Sequence, residues 1–295
     1  MITIKGIQYM SDFEAKKAII EVGKRMYHKG FVAANDGNIS CKVGPDTIWA
    51  TCTGVSKGFM SQDMLVKMNL DGKVMIGSRK PSSEIKMHLR VYQENPEVMA
   101  VTHAHPPVAT SFAIAGISLD KAVLPEAVVQ LGTVPIAKYA TPGTQEVPDS
   151  IAPFCREYNA VLLANHGALS WGKDVIEAFY RLESIEYYAT ILMYTGNIIG
   201  KQNELSCKQI NDLLGIRQQL GISSGGAPSC SAAETNQHNI VNSTAITPLI
   251  RPSADSLSCG CGSIPSGPVD AEAAGKAKAE IIEEVVRRVV SRLND

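Results

Sequence analysis

The composition of this chain changes sharply near residue 221, and the change limits which part of the chain can form a folded core. Before this point, apolar segments alternate with turn signals. From Gly221 to about Pro268 the sequence is rich in Ser, Gly, Pro, Thr and Asn and has few large apolar residues. Such a segment cannot bury enough apolar surface to offset the entropy lost on ordering. We therefore predict a globular domain at 1–220, a flexible linker at 221–269 and an amphipathic helix at 270–295.

Charge and hydropathy exclude several classes of protein. The 295 residues carry a formal net charge of -1, which gives no electrostatic basis for binding nucleic acid or an anionic membrane. No apolar run approaches the roughly 20 residues that span a bilayer, and the N-terminal segment lacks a signal-type apolar stretch. The seven cysteines are odd in number and scattered, which argues against a secreted disulfide framework. We expect a cytoplasmic protein.

The globular domain mixes helix and strand patterns, which predicts a layered α/β domain. Helix patterns cover residues 12–29, 108–115 and 174–194, with Gly196 as the stop signal of the last. A further helix runs to about residue 95 and is capped by Ser82 or Ser83. Short apolar strands are predicted at 47–51, 98–102 and 160–164. The pattern does not fix the order or direction of the strands.

Three of the six histidines follow predicted strands and are candidate ligands of one metal ion. In His103-Ala-His105 the period of two turns both imidazoles to the same side of an extended segment. His166 follows the next apolar strand and precedes Gly167. Three histidine ligands with an open fourth position are typical of a catalytic zinc. The alternative is a pair of hydrogen-bonded histidines at a strand end, and spacing alone does not decide between the two.

Three polar turns carry hydroxyl or amide donors suited to an anion: Asp36-Gly-Asn38-Ile-Ser40, Thr53-Gly-Val-Ser56 and Pro81-Ser-Ser83-Glu84. The third opens a helix, whose free N–H groups and dipole favour a phosphate. Each turn taken alone is more often only a turn or a helix cap. Glu84 is either a first-turn residue favoured by the helix dipole or a general base near the metal. His88, on the same helix face, is interpreted as a packed helix residue.

Taken in order, these motifs resemble the zinc-dependent class II aldolase and adducin family. The resemblance covers about residues 10–215 and rests also on Tyr139-Ala-Thr-Pro-Gly-Thr144 and Asn165-His-Gly167. It implies an α/β fold, an α/β/α sandwich around a mostly antiparallel sheet. It also implies a homotetramer with active sites between subunits. The domain predicted at 1–220 is then a class II aldolase catalytic domain.

The resemblance also assigns roles to single residues. It implies one Zn2+ per subunit, held by His103, His105 and His166, and it makes Glu84 the catalytic group that exchanges a proton. The phosphate-binding positions of the family fall on Asn38, Thr53, Gly54, Ser82 and Ser83. The fuculose-phosphate enzyme uses a tyrosine, in a loop after the His-x-His segment, to handle the aldehyde proton. Glu126 stands in the comparable place here, and a catalytic role and a structural role both remain open.

The activity implied by the resemblance is zinc-dependent cleavage of a small phosphorylated sugar, a ketose 1-phosphate, to dihydroxyacetone phosphate and an aldehyde. L-Fuculose 1-phosphate is the first choice of substrate, with L-lactaldehyde as product, ahead of L-rhamnulose 1-phosphate and L-ribulose phosphates. The 4-epimerase branch of the family carries Asp where this chain has Glu84, which favours aldol cleavage, whereas a dehydratase branch keeps Glu. A non-enzymatic, adducin-like domain predicts lost metal ligands, and all three histidines are present.

The predicted terminal helix has a narrow apolar stripe, formed by residues 281, 282, 285, 286, 289, 290 and 293. An isolated helix of this length is marginal in water, which indicates a partner. It can pack on the domain or on itself, and its mixed polar face disfavours a membrane surface. It resembles encapsulation peptides, which implies shell proteins as partners of residues 270–295 and the lumen of a bacterial microcompartment as location. Cys259 and Cys261, in the linker, are free thiols or a weak metal pair.

Overall fold

In the computed structural model, which describes residues 2–4 and 7–229, an eight-stranded sheet forms the centre of the domain. The short pair β1 (Ile2–Ile4) and β2 (Ile7–Tyr9) precedes it. The strands of the large sheet are β3 (Asn38–Gly44), β4 (Thr47–Thr51), β5 (Leu65–Asn69), β6 (Val74–Ile76), β7 (Ala100–Ala104), β8 (Ile136–Ala137), β9 (Ala160–Leu163) and β10 (Gly167–Gly172). Their order is β6-β5-β4-β3-β7-β10-β9-β8, and every neighbouring pair is antiparallel except β8 and β9.

Helices cover both faces of this sheet. They are α1 (Asp12–His28), α2 (Ile85–Glu94), α3 (Pro107–Ala115), α4 (Glu146–Ile151), α5 (Val175–Met193) and α6 (Cys207–Gln219). Apolar residues of α1, α3 and α5 form one core with the first face, and those of α2 and α4 form a second core with the other. Trp49 belongs to the first core and its neighbours Ile48 and Ala50 to the second, as the alternation of a strand requires. The predicted α/β/α sandwich around a mostly antiparallel sheet is confirmed.

Where a helix begins or ends at the predicted residue, a local capping signal explains the agreement. Ser11 caps α1 and shares a capping box with Glu14, and Asp174 caps α5 through the backbone N–H of Glu177. Helix α3 ends at Gly116, which adopts the left-handed conformation. Gly196, in contrast, does not end α5, because the chain continues into a π-helical turn at Tyr194–Ile198.

Three segments near the site differ from their predicted form. The turn itself is at Ala34 and Asn35, and of the predicted polar turn only Asp36 and Gly37 precede β3, because Asn38 already begins that strand. Helix α2 begins at Ile85 with Glu84 at the cap position, and the Ser82 hydroxyl accepts a hydrogen bond of 3.3 Å from the Glu84 backbone. Strand β7 lies two residues later than predicted and therefore contains His103.

The first residues of the predicted linker contact the domain. Gly225 is buried, donates its backbone N–H to Glu157 and accepts from Thr133, at 2.7 and 2.9 Å. The rest of the predicted linker and the helix at 270–295 lie outside the described residues, as do Cys259 and Cys261. The domain boundaries therefore stay a prediction. Among the described residues, every helix is too short or too polar to cross a membrane.

Candidate functional site

The structure brings together the three histidines that the sequence predicts as metal ligands. His103 lies in β7, His105 follows it directly, and His166 lies in the turn between β9 and β10. Because β7 and β10 are antiparallel neighbours, the end of one strand meets the start of the other. The candidate ligand atoms of the three rings all lie within 4.8 Å of one another. This cluster can hold a metal ion.

The hydrogen bonds of the imidazoles test whether a cation fits. His103 Nδ1 lies 2.9 Å from the carbonyl of Ala168, to which it donates, and His105 Nδ1 faces a carboxylate oxygen of Asp36 at 3.5 Å. Both Nε2 lone pairs then point at each other across 3.1 Å. Burial holds the pKa of His103 well below its usual range, which disfavours a proton between them. The donor set fits a divalent metal held by neutral imidazoles, with the Ala168 carbonyl and Asp36 as outer partners.

Two glycines allow the backbone to approach these rings. Gly37 has a φ of 76°, and a Cβ there would lie 2.9 Å from the carbonyl oxygen of His103. A Cβ on Gly167 would lie 2.6 Å from Cδ2 of His105 and 2.5 Å from the carbonyl oxygen of Ala104. All three distances are too short for a side chain at these positions. The glycines of the Asp36-Gly and His166-Gly pairs are therefore required by the packing around the cluster.

Glu84 faces the histidines from the start of α2. Its Oε1 lies 2.8 Å from Nε2 of His166, and its Oε2 accepts a hydrogen bond of 2.8 Å from Nδ2 of Asn38. Burial by itself would raise the pKa of this carboxyl, but His103, His166 and Asn38 outweigh burial and hold it below its usual range. Glu84 is therefore a carboxylate at neutral pH, within reach of a group bound at the cluster.

A polar cavity of about 180 Å³ adjoins Glu84 and contains four of the five predicted phosphate positions. These are Thr53, Gly54, Ser82 and Ser83. The turns that carry them are joined, because the Thr53 N–H donates to Lys80 and the Ser82 N–H donates to Thr51. The fifth position, Asn38, is buried behind the cavity and donates to the Ser82 hydroxyl at 3.2 Å.

Lys57 also lines this cavity, although no motif in the sequence identifies it as a site residue. The side chain is buried, and its ammonium donates to the carbonyls of Asn35 and Val55 at 2.7 and 2.6 Å. Burial lowers the pKa of Lys57 to about 8, although Asp36 and Glu84 partly offset this effect. The available signal was its position, directly after the polar turn that ends at Ser56.

Glu126 lies apart from this group in the single chain. It is exposed, immediately precedes the π-helical turn at Ala127–Leu131, and lines a different cavity of about 600 Å³ together with Phe31 and Tyr187. Glu126 does not line the polar cavity beside Glu84. A catalytic role for Glu126 therefore stays a prediction, and within one chain the structure does not join it to the histidines.

Similarity to known proteins covers the whole of this site. Residues 17–193 match the family model described as Class II Aldolase and Adducin N-terminal domain. An L-fuculose phosphate aldolase of Methanocaldococcus jannaschii is 30% identical over 178 residues, which cover 60% of this chain and 95% of the relative. A 3-oxo-tetronate 4-phosphate decarboxylase of Pectobacterium atrosepticum is 30% identical over 191 residues, which cover 63% of this chain and 87% of the relative.

A solved structure of L-fuculose 1-phosphate aldolase shares the fold, with a TM-score of 0.65 and 30% identity. The match covers 71% of this chain and 98% of that chain. The names of the relatives include two different reactions, so they support a lyase-type enzyme and leave its substrate open. Because the family model spans residues 17–193, which include every predicted site residue, the chain belongs to the class II aldolase and adducin family, whose aldolases are metal-dependent.

Proposed function

We propose that the protein is a metal-dependent aldolase that cleaves a ketose 1-phosphate to dihydroxyacetone phosphate and a small aldehyde. L-Fuculose 1-phosphate, which would give L-lactaldehyde, is the first choice of substrate. One observation carries the proposal: the carboxylate of Glu84 lies between the histidine cluster and the polar cavity. A substrate with its phosphate in the cavity and its carbonyl at the metal would bring C3, the carbon that loses its bond to C4, within reach of Glu84.

Different residues would bind the phosphate, hold the metal and exchange the proton in this reaction. Thr53, Ser82 and Ser83 supply hydroxyl donors for the phosphate and fix the substrate in the cavity. Zn2+ held by the histidines would act as a Lewis acid toward the negative charge that develops on the substrate oxygens. Glu84, kept ionised by its neighbours, accepts or returns the proton at the carbon next to the carbonyl.

Decarboxylation is the second candidate, and the similarity to a 3-oxo-tetronate 4-phosphate decarboxylase favours it. Loss of carbon dioxide from such a substrate would leave the same three-carbon fragment, dihydroxyacetone phosphate. The phosphate cavity, the metal and Glu84 would then serve both reactions, and only the leaving fragment would differ. A 4-epimerase or dehydratase of the same family remains a further alternative. The complete histidine cluster speaks against a non-enzymatic, adducin-like role.

The test is product formation by the zinc-loaded, full-length protein. L-Fuculose 1-phosphate, L-rhamnulose 1-phosphate, L-ribulose 5-phosphate and a 3-oxo-tetronate 4-phosphate are offered separately, with Glu84→Gln and His103→Ala as controls. Dihydroxyacetone phosphate together with an aldehyde, lost in both variants, is the expected result. Carbon dioxide in place of an aldehyde would move the protein to decarboxylation. Interconversion of the pentulose phosphate would move it to epimerisation, and loss of water to the dehydratase branch.

The assembly and location of the enzyme are part of the same proposal. A homotetramer with sites between subunits would bring Glu126 of one chain toward the site of its neighbour. Residues 270–295 would bind shell proteins and place the enzyme in a microcompartment lumen. Recovery with purified shell proteins, compared between the full-length chain and a chain ending at Gly267, tests this part. Equal recovery of the two chains would contradict it.

A further inference from the structure

A line of buried polar side chains runs from the core between the sheet and α2 to Glu84. The Tyr92 hydroxyl lies 2.8 Å from Oγ of Ser40, which lies 2.7 Å from Nδ1 of His88. Nε2 of His88 lies 2.5 Å from Oδ1 of Asn38, whose Nδ2 donates to Glu84. Tyr92, Ser40, His88 and Asn38 are each at most 2% exposed. We call these four residues the polar relay.

The matching repeats of a strand and a helix explain why the relay forms. Asn38 and Ser40 are two residues apart in β3 and project from the same face of the sheet. Glu84, at the cap position, is followed at intervals of four by His88 and Tyr92, which lie on one face of α2. Two residues of a strand advance about 6.6 Å and four residues of a helix about 6.0 Å, so the two rows stay in step.

Only one arrangement of hydrogens satisfies every member of the relay. Oδ1 of Asn38 can only accept, so Nε2 of His88 donates to it. Burial lowers the pKa of His88 to about 3, so the ring is neutral and its Nδ1 accepts from Ser40. The Ser40 oxygen then accepts from Tyr92, which keeps its proton because burial raises its pKa. Each hydrogen bond is therefore donated in the direction from Tyr92 to Asn38, and none of them can be reversed.

This direction fixes the Asn38 amide with both N–H groups toward the site. One donates to Oε2 of Glu84 and the other to the Ser82 hydroxyl, which also accepts from the Glu84 backbone. Because the Ser82 oxygen accepts twice, its own hydrogen is left to donate into the polar cavity. The relay therefore orients two groups at once: the carboxylate that exchanges the proton and a hydroxyl that faces the phosphate.

We propose that Tyr92, Ser40 and His88 are positioning residues, which act through Asn38 to set the geometry of Glu84 and Ser82 for the reaction. The proposal rests on the proposed function of Glu84 as the proton-exchanging group. The competing explanation is that the four residues only stabilise the packing of α2 on the sheet. The two explanations differ in whether the effect of a relay substitution depends on Asn38.

A double-mutant cycle in the full-length, zinc-loaded protein makes this distinction. Outer partners of a site commonly change activity by about 10- to 100-fold, and we expect His88→Leu to lower kcat by that amount. In the Asn38→Ala background the same substitution is expected to change kcat by less than about threefold, because the route to Glu84 is already broken. An equal loss of kcat in the two backgrounds, or no loss in either, would overturn the proposal.

A second pair of variants changes less of the core, so that the test does not depend on a protein that fails to fold. Tyr92→Phe and Tyr188→Phe each remove one buried hydroxyl that makes a hydrogen bond, to Ser40 in the first case and to the Lys121 carbonyl in the second. Tyr188 lies outside the site, so only Tyr92→Phe is expected to lower kcat, while both lower the melting temperature. A fall of kcat in both variants or in neither would contradict a positioning role.

The tautomer of His88 tests the relay independently of turnover. Nitrogen-15 spectra of the imidazoles, with the His88 signals identified by their loss in His88→Leu, are expected to show a neutral ring with its proton on Nε2. A proton on Nδ1, or on both nitrogens, would overturn the relay even in an active enzyme. If no substrate is cleaved but the Nε2 tautomer is found, the proposed function fails and the relay itself stands.

Discussion

Lys57 decides the charge of the phosphate cavity. The predicted phosphate positions are all neutral, and the acidic groups nearby, Asp36 and Glu84, oppose an anion. Among the described residues that line the cavity, Lys57 is the single cationic side chain, and its ammonium bonds only two carbonyls. A phosphate with close to two negative charges needs a compensating charge in a partly dehydrated site. We therefore expect the selectivity for phosphorylated substrates to depend on this lysine.

Replacement of Lys57 by Met is expected to weaken binding more than chemistry. Hydrogen bonds to charged groups contribute about 1.5–3 kcal/mol, so KM for the phosphorylated substrate should rise roughly 10- to 100-fold with a smaller change in kcat. Lys80→Met, an exposed lysine beside the same turn, is the matched control. Steady-state kinetics on both variants check this. A fall in kcat at unchanged KM would show that Lys57 acts elsewhere in the reaction.

The lowered pKa of Lys57 adds a pH dependence with a definite sign. The ammonium is present at pH 7 and is lost as the pH rises through about 8, whereas an exposed lysine keeps its charge in that range. Affinity for inorganic phosphate, measured by calorimetry at pH 7 and pH 9, is therefore expected to fall in the native protein. In Lys57→Met the affinity is weaker at pH 7 and changes little. A parallel fall in both proteins would assign the effect to another group.

Gly167 preserves the geometry of the histidine cluster because it has no side chain. A Cβ at this position would lie 2.6 Å from the His105 ring, so Gly167→Ala must displace the ring or the strand. We expect the variant to lose zinc affinity by at least about tenfold, as seen when the support of a metal ligand is disturbed. Metal content after dialysis against graded chelator measures it. Gly215→Ala, in open space on α6, is the control and should retain its zinc.

Secondary-structure elements were predictable where their signals are local. The capping box of α1 and the cap of α5 each involve residues only three apart in the sequence, and the predicted starts of these helices agree with the structure. The entry of Asn38 into β3 was not predictable, because it depends on pairing with His103 across the sheet. The histidine cluster could be inferred only from the ordered set of motifs that resembles the family, because the spacing of the histidines alone left an alternative open. The polar relay could not, since its rows come from a strand and a helix more than 40 residues apart.

One helix also supports another close to the site. Helix α3, which follows His105, has no side-chain cap of its own, and the carboxylate of Glu186 on α5 accepts from the backbone of Val108 and Ala109. We expect Glu186→Ala to lower the free energy of unfolding by about 1–3 kcal/mol, because two N–H groups lose their partner. Urea denaturation of the isolated variant measures this value.

Glu183→Ala is the matched control for Glu186→Ala, since both residues lie on α5. Glu183 forms an ion pair with Lys29 at the surface, where the two side chains are 33% and 53% exposed. Such pairs contribute about 0–1 kcal/mol, so this substitution should have little effect. Equal destabilisation by the two variants would mean that Glu186 does not act as the cap of α3.

The surface around Glu126 suggests where a second copy of the chain binds. Tyr180, Tyr187 and Tyr194 recur every seven residues along α5 and its π-helical continuation, and they are between 46% and 60% exposed. Exposed aromatic rows of this kind mark interaction surfaces. Tyr187 lines the same cavity as Glu126, so an interface there would also cover Glu126. This supports, for the proposed tetramer, an arrangement in which Glu126 serves the neighbouring site.

Mixing of two inactive proteins tests this arrangement directly. His103→Ala lacks a metal ligand, and Glu126→Gln is expected to be inactive if Glu126 handles a proton at the neighbouring site. In mixed tetramers, sites that combine the histidines of one parent with Glu126 of the other are intact, and random assembly of a cyclic interface gives about a quarter of native activity. The mixture is refolded together and assayed against each parent. Inactive Glu126→Gln without recovery would place Glu126 at its own chain's site, and an active Glu126→Gln would leave it a structural residue.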